Sequence, residues 1–297
     1  MQNIFKKSFD IIKDSPFLTL YFVLYLIALF LIIPTMLLSK NMFISAIIIV
    51  LLMLLTCAFL AGWFNMIKSS VISYKKDKTP EEKLNDAIKL KDSFFSGVAC
   101  CILPVIAGFI VFMGLLYLHS YLSDIIFGKI DDVLYNLSKY ANDPAAFKNY
   151  FISLPDATWN VIFKKSLFTY IACSFITLLF LYWASSLYLN SKNSINPFVA
   201  AFDATKVMFC KFYETILIFL LLMIVNFILM FFQAFFIENV IISFITMILR
   251  IYFAAYIVVL IFALYENKVN EKVCENIPPA IDCNNGPDSI GQNGSCN

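Results

Sequence analysis

Six long apolar stretches limit what this chain can fold into. They cover about residues 17–38, 43–67, 97–118, 167–189, 215–236 and 240–265. Each is at least as long as the roughly 20 residues that an α-helix needs to cross the hydrocarbon core of a bilayer. Because backbone groups in lipid must find their hydrogen bonds within the segment, each stretch is predicted to be a transmembrane helix. The predicted fold class is therefore an all-α, polytopic membrane protein with six transmembrane helices.

The composition excludes a soluble globular protein. The chain has 61% hydrophobic and only 14% charged residues, so too little polar surface is left to face water. We expect a single membrane domain over residues 1–265 and a disordered cytoplasmic tail over residues 266–297, where apolar residues are few.

The lysines predict how the helices are oriented. Seven of them lie in the short segment between Lys68 and Lys91, which is typical of a cytoplasmic loop. The same rule places both termini inside (N-in/C-in). Within this segment, Thr79 followed by Pro80 and two acids predicts the start of a helix. The longest connector, residues 119–166, is then extracytoplasmic. Its apolar positions recur at helical spacing from Leu122 to Leu137, which predicts an amphipathic helix on the membrane surface.

A short amphipathic segment precedes three of the apolar stretches, and each copy contains Asp-x-x-Lys. This recurrence predicts three units, each an interfacial helix followed by a transmembrane hairpin. The lysines are expected to face anionic head groups and the aromatic residues that follow to mark the membrane interface. The three pairs are Asp10 and Lys13, Asp86 and Lys89, and Asp203 and Lys206.

The last of these segments carries a family resemblance. Residues 193–222, NSINPFVAAFDATKVMFCKFYETILIFLLL, resemble the recurring segment of poorly characterised bacterial six-helix membrane proteins. That group includes the membrane domain fused to some glycerophosphoryl-diester phosphodiesterases. The resemblance implies a membrane fold and no reaction, since the phosphodiesterase activity belongs to a separate soluble barrel.

Arg250 is the candidate site residue inside the membrane. It lies eleven residues after Asn239 and so about 16 Å deep in its predicted helix. If the last two helices fold back on each other near Glu238, Asn226 comes to the same depth, and Gln233 lies level with Ser243 nearer the outer end. One interpretation is hydrogen bonding between helices; the other is a polar pocket for an anionic ligand.

No catalytic, cofactor or metal motif accompanies these residues. The eight cysteines do not have zinc-site spacing, and nothing pairs a nucleophile with a base. We therefore expect a non-enzymatic protein of the bacterial cytoplasmic membrane with a structural, lipid-interacting or partner-binding role. Its partners are expected to be anionic membrane lipids, not nucleic acid. A small-molecule or lipid transporter using Arg250 is the alternative, and an intramembrane enzyme is the third.

Overall fold

The chain is helical throughout the part that can be described. A computed structural model describes residues 2–38, 41–75, 79–130, 152–190, 196–235 and 239–271, with isolated positions between 133 and 150. Within these residues the structure is 92% helix without a strand. Six of the helices are long and apolar enough to cross a membrane. The predicted all-α, multi-pass class is confirmed at this level.

Eight helices can be given complete bounds within the described ranges. They are α1 (Gln2–Asp14), α2 (Pro16–Leu38), α3 (Met42–Ile72), α4 (Pro80–Phe127), α5 (Asp156–Leu189), α6 (Pro197–Cys210), α7 (Phe212–Phe235) and α8 (Val240–Glu271). Several of them extend well beyond the apolar stretches. In particular, α8 continues to Glu271, five residues past the predicted start of the tail at residue 266; residues 272–297 lie outside the described part.

Polar caps set where several helices begin. The side-chain oxygens of Asn41, Asn196 and Asn239 each accept hydrogen bonds from two backbone N–H groups in the first turns of α3, α6 and α8. The start predicted at Thr79 is confirmed. The Thr79 N–H donates to Glu82 Oε2 at 2.8 Å, and the Glu82 N–H donates to Thr79 Oγ1 at 3.3 Å, forming a reciprocal capping box.

Only two of the three predicted interfacial helices are separate helices. Ser15 interrupts the helix before Pro16, and Lys211 interrupts it between α6 and α7 with φ −113° and ψ 47°. The second copy does not break, because α4 runs for 48 residues from Pro80 through the apolar stretch. Proline disfavours helical backbone in the residue before it, which accounts for the interruption at Ser15, directly before Pro16.

The connector also differs from its prediction. Gly128 adopts a left-handed backbone with φ 86° and closes α4 by donating its N–H to the Asp124 carbonyl oxygen at 3.0 Å. The single amphipathic helix predicted from Leu122 to Leu137 therefore ends at Phe127. Asp131, Asp132 and Leu137 lie outside the described residues. After Pro155, α5 begins at Asp156, well before the apolar stretch that starts at Leu167.

The described chain divides into two compact units. Residues 1–109 and 179–297 form unit 1, and residues 110–178 form unit 2. The core of unit 1 lies where the C-terminal ends of α3, α5 and α8 meet. The rings of Phe64, Tyr188 and Phe262, one from each helix, have centroids 5.9–6.4 Å apart. Every residue of α8 from Ile257 to Tyr265 is buried, so this end of α8 is enclosed on all sides.

Polar side chains bind the same helix ends together. Tyr188 donates its hydroxyl to the Ala61 carbonyl oxygen at 2.9 Å, and the Tyr265 hydroxyl donates to Ser186 Oγ at 3.0 Å. Trp63 Nε1 donates to the Leu18 carbonyl oxygen at 2.9 Å and so ties α3 to the start of α2. Because each of these bonds is buried, removing one partner would leave the other unsatisfied.

Glycine allows α3 and α4 to approach closely. A Cβ atom added at Gly97 would lie 2.6 Å from the Ala61 carbonyl oxygen and 3.2 Å from the Gly62 Cα atom. A Cβ atom at Gly62 would lie 2.5 Å from the ring of Phe94. The two helix backbones are therefore in direct contact at this level, which places the start of α4 against the end of α3.

Unit 2 contains the end of α4 and the beginning of α5. His119 is buried, and its ring packs on Phe168 with the centroids 4.9 Å apart. Lys165 forms an ion pair with Asp124, one helical turn further along α4. His119 Nε2 and Ser123 Oγ are buried without a hydrogen-bond partner in the described residues.

We expect the Gly97→Ala substitution to destabilise the protein by about 1–3 kcal/mol, because the new methyl group collides with backbone atoms of α3. Thermal unfolding of the purified protein in detergent measures this. Gly114→Ala is the matched control, because Gly114 lies in the same helix and an added Cβ atom there meets nothing within 4 Å. Equal melting temperatures for the two variants would contradict the close approach.

Candidate functional site

The polar residues predicted to meet inside the membrane do not bond to one another. Arg250, Asn226 and Ser243 are half-buried and Gln233 is exposed. Across the described residues, Arg250 forms no hydrogen bond or ion pair, so the predicted contact with Asn226 is absent. The helices α7 and α8 do pack together. Counting residues along two helices predicts which side chains lie at the same depth. It does not predict which side chains point toward each other.

The three Asp-x-x-Lys motifs share one pattern of exposure. Asp10, Asp86 and Asp203 are all half-buried, whereas Lys13, Lys89 and Lys206 are all exposed. Each aspartate is therefore less exposed than the lysine of its own motif.

Asp10 and Asp203 each accept a hydrogen bond from a residue of another helix or segment. Asp10 accepts a hydrogen bond from the Tyr74 hydroxyl at 3.2 Å, and Asp203 accepts one from Asn190 Nδ2. Lys7, one turn before Asp10, forms an ion pair with Glu266 and lies over the Tyr74 ring. The contacts of Asp10 and Lys7 hold α1 against Tyr74, just after the end of α3, and against Glu266 of α8.

A polar cavity of about 260 Å³ opens beside α1, at the lysine-rich end of α3. Its wall comes from the end of α1, the end of α3 and the beginning of α4, all within unit 1. Only three of the lining residues are apolar: Ile11, Ile72 and Leu90. The polar lining residues are Asp14, Ser15, Asn65, Lys68, Ser69, Ser70, Ser73, Tyr74, Lys75, Asp86, Lys89 and Ser93. We refer to this cavity as the serine–lysine pocket.

One side of the pocket is held rigidly by hydrogen bonds between α3 and α4. Asn65 Nδ2 donates to the Ser93 carbonyl oxygen at 2.7 Å, and the hydroxyl oxygens of Ser69 and Ser93 are 2.9 Å apart. This side lies one turn from the Gly62–Gly97 contact, so the close approach of the two helices brings these small polar groups together. Their positions are set by backbone packing before any ligand binds.

Among the described lining residues, Ser70 has a buried hydroxyl without a hydrogen-bond partner. Its side chain is 5% exposed, and Oγ is buried without a hydrogen bond. Leaving a buried hydroxyl unsatisfied costs about 1–3 kcal/mol, so such a group is usually matched by something outside the chain. In this pocket it is available to donate a hydrogen bond to a bound oxygen atom.

The pocket favours an anion. Among the described lining residues there are three lysines and two aspartates, an excess of one positive charge, and five serine hydroxyls add neutral donors. Lys68 is 8% exposed, so its charge acts near a poorly hydrated wall, while Lys75 and Lys89 are exposed at the rim. Ammonium groups and hydroxyls are the side-chain donors that suit phosphate oxygens.

Sequence reasoning missed this pocket. The lysines predict a cytoplasmic loop from Lys68 onward, but α3 continues to Ile72 and buries Ser70. The usable signal was the stretch KSSVISYK at residues 68–75, where hydroxyls and lysines alternate with apolar residues directly after an apolar helix. In the part of the chain that the structure describes, no three His, Cys, Asp or Glu side chains come together as a metal site.

The partial burial of Asp203 should make the stability of the protein depend on pH. Partial burial raises the pKa of Asp203 and outweighs the lowering effects of the Asn190 hydrogen bond and of Lys206. The folded protein therefore holds this proton more tightly than the unfolded chain does, and Asp203 favours folding more as the pH falls through its raised pKa. We expect the melting temperature of the wild type to rise relative to that of Asp203→Asn between neutral and mildly acidic pH.

Glu82→Gln provides a control of opposite sign for that measurement. The backbone N–H of Thr79 lowers the pKa of Glu82, so this group supports folding only above its unfolded pKa and loses that support as the pH falls. The wild type should therefore melt lower relative to Glu82→Gln in acid. A parallel trend in both comparisons would contradict the assignment for Asp203.

No family model, curated protein or solved structure shows significant similarity to the chain.

Proposed function

We propose that this chain is a non-enzymatic, multi-pass membrane protein that binds the phosphate-bearing head group of an anionic lipid in the serine–lysine pocket. The observation that carries the proposal is the buried, unpartnered hydroxyl of Ser70 inside a cavity whose wall has excess positive charge. A cavity of about 260 Å³ falls just below the roughly 300–1,000 Å³ typical of pockets for drug-sized ligands. It suits a head group, with the rest of the lipid outside.

The surroundings of the pocket favour a lipid over a soluble phosphate compound. Ile72 lines the pocket and is 53% exposed, and Ile88, next to Lys89, is 58% exposed. Phe17 and Phe95 lie two residues from the lining residues Ser15 and Ser93 and are 40% and 60% exposed. Apolar and aromatic surface beside a phosphate site is what acyl chains at a membrane interface require.

The orientation expected from the lysines fits this function. An excess of lysine at the pocket end of the transmembrane helices corresponds to the cytoplasmic leaflet, where anionic lipids attract basic groups by about 1 kcal/mol per residue. The exposed Lys13, Lys89 and Lys206 would contribute to the same attraction. The proposal agrees with a location in a bacterial cytoplasmic membrane. It also agrees with kinship to the six-helix membrane proteins that residues 193–222 resemble.

The transport alternative has less support. It requires a polar path that includes Arg250, and Arg250 does not line the serine–lysine pocket. An intramembrane enzyme remains third, because the sequence contains no motif that pairs a nucleophile with a base.

Lipid retention tests the proposal directly. The full-length protein is reconstituted with phosphatidylglycerol or phosphatidylcholine and examined by native mass spectrometry. We expect the wild type to retain phosphatidylglycerol, and Ser70→Ala to weaken that retention about tenfold through loss of one hydrogen bond to a charged group. Without lipid, Ser70→Ala should be as stable as the wild type or more stable, since it removes an unsatisfied hydroxyl.

Two further variants separate the pocket from general surface charge. Lys89→Gln removes a rim lysine and should weaken phosphatidylglycerol retention, whereas Lys164→Gln removes an exposed lysine that does not line the pocket and should leave retention unchanged. Equal retention by all variants would refute the lipid site. Inorganic phosphate that displaces the lipid would confirm that the phosphate group is recognised; failure to displace it at high concentration would argue against phosphate recognition.

A further inference from the structure

The serine–lysine pocket contains groups that a phosphate cannot bind. Among the residues described in its wall, Asp14 and Asp86 place carboxylates beside the lysines and serines. An ionised carboxylate only accepts hydrogen bonds, and the oxygens of a lipid phosphodiester also only accept them, so the two groups cannot bond to each other. A ligand that fits the whole wall must therefore also carry hydrogen-bond donors.

The two acids lie next to groups that suit the phosphate. Asp86 precedes Lys89 by three residues on α4, so both side chains lie on the face of that helix that lines the pocket. Asp14 is the last residue of α1 and directly precedes Ser15. A carboxylate has lone pairs for several hydrogen bonds, so contacts within the protein leave it able to accept one from a ligand. The donors of the ligand must therefore be close to its phosphate.

The buried end of the pocket consists of neutral polar groups. Ser70 and Ser93 are 5% exposed and Asn65 is 3% exposed. The hydroxyl oxygens of Ser69 and Ser93 are 2.9 Å apart, and a hydroxyl can donate one hydrogen bond while it accepts others. A ligand group that both donates and accepts, such as a hydroxyl, matches this end of the pocket as well as the carboxylates.

Charge distinguishes a hydroxyl from an ammonium group as the donor. The lysines and aspartates described in the lining leave an excess of one positive charge. A phosphodiester lipid with a hydroxylated head group keeps one negative charge and balances that excess. An ammonium group beside the phosphate would make the head group neutral overall and leave the excess uncompensated, so charge complementarity favours hydroxyls.

We propose that the serine–lysine pocket selects a phosphodiester lipid whose head group carries hydroxyl groups, as a glycerol head group does, and that these hydroxyls donate hydrogen bonds to Asp14 and Asp86. This inference rests on the proposed function, because the phosphate still binds the lysines and Ser70. It adds that the head group is recognised by its hydroxyls as well as by its charge. A lipid that lacks them displaces water from the carboxylates and returns no hydrogen bond, so it binds less well.

Two lipids of equal charge test the proposal. Phosphatidylpropanol has the same phosphodiester and the same number of head-group carbons as phosphatidylglycerol but lacks both hydroxyls. The full-length protein is reconstituted with each lipid, with matched acyl chains, and retention is measured by native mass spectrometry. We expect the wild type to retain phosphatidylglycerol about tenfold more strongly, the effect of one hydrogen bond to a charged group.

Variants of the two acids then identify the acceptors. Asp86→Ala and Asp14→Ala should each lower the ratio of phosphatidylglycerol to phosphatidylpropanol severalfold. Retention of phosphatidylpropanol itself should not fall, because a negative charge has left the pocket, whereas a misfolded variant would lose both lipids. Asp92→Ala is the matched control: it removes an exposed aspartate of α4 that does not line the pocket, and it should keep the full ratio.

Three results would overturn the proposal. They are equal retention of the two lipids by the wild type, a ratio that is unchanged in both Asp86→Ala and Asp14→Ala, and stronger retention of phosphatidylethanolamine than of phosphatidylglycerol. The first two leave the phosphate site intact, because both lipids then bind through the phosphate. That site itself fails if neither phosphatidylglycerol nor phosphatidylpropanol is retained more strongly than phosphatidylcholine.

Discussion

Contacts between three aromatic rings bring the helices of unit 1 together. Phe64, Tyr188 and Phe262 come from the C-terminal ends of three different helices, and their contacts bring those ends to one point. Within a bilayer, lipid tails are as apolar as leucine, so helix association depends on close packing and on hydrogen bonds between helices. The ring contacts provide the close packing, and the hydroxyl groups of Tyr188 and Tyr265 provide the hydrogen bonds between helices.

The serine–lysine pocket follows from this packing. Once the end of α3 is fixed in the core, the Gly62–Gly97 contact determines where α4 can lie, and Asn65 and Ser93 are brought into hydrogen-bond distance. The third wall is α1, which Asp10 and Lys7 hold in place. A polar cavity thus forms at the edge of an apolar core, because the small residues that permit close packing leave space and hydroxyl groups behind.

Hydrophobicity was sufficient to predict the six long helices, and capping chemistry was sufficient to predict the start of α4 at Thr79. Both depend on residues close together in the chain. Other features required knowledge of contacts between distant segments: Ser70 is notable only because α1 and α4 enclose it, and Asn226 could be placed at the depth of Arg250 but not turned toward it. The recurrence of Asp86 and Lys89 predicts a separate interfacial helix, but α4 is continuous there, so the motif by itself does not determine where a helix ends.

The ion pair between Lys7 and Glu266 joins α1 to α8 across a separation of 259 residues. Because synthesis proceeds from the N-terminus, this contact cannot form until α8 has left the ribosome. The N-terminal helix must therefore wait at the membrane surface while the intervening helices are inserted, and its amphipathic character suits it to do so. Docking of α1 would then be a late step in biogenesis, which follows completion of α8.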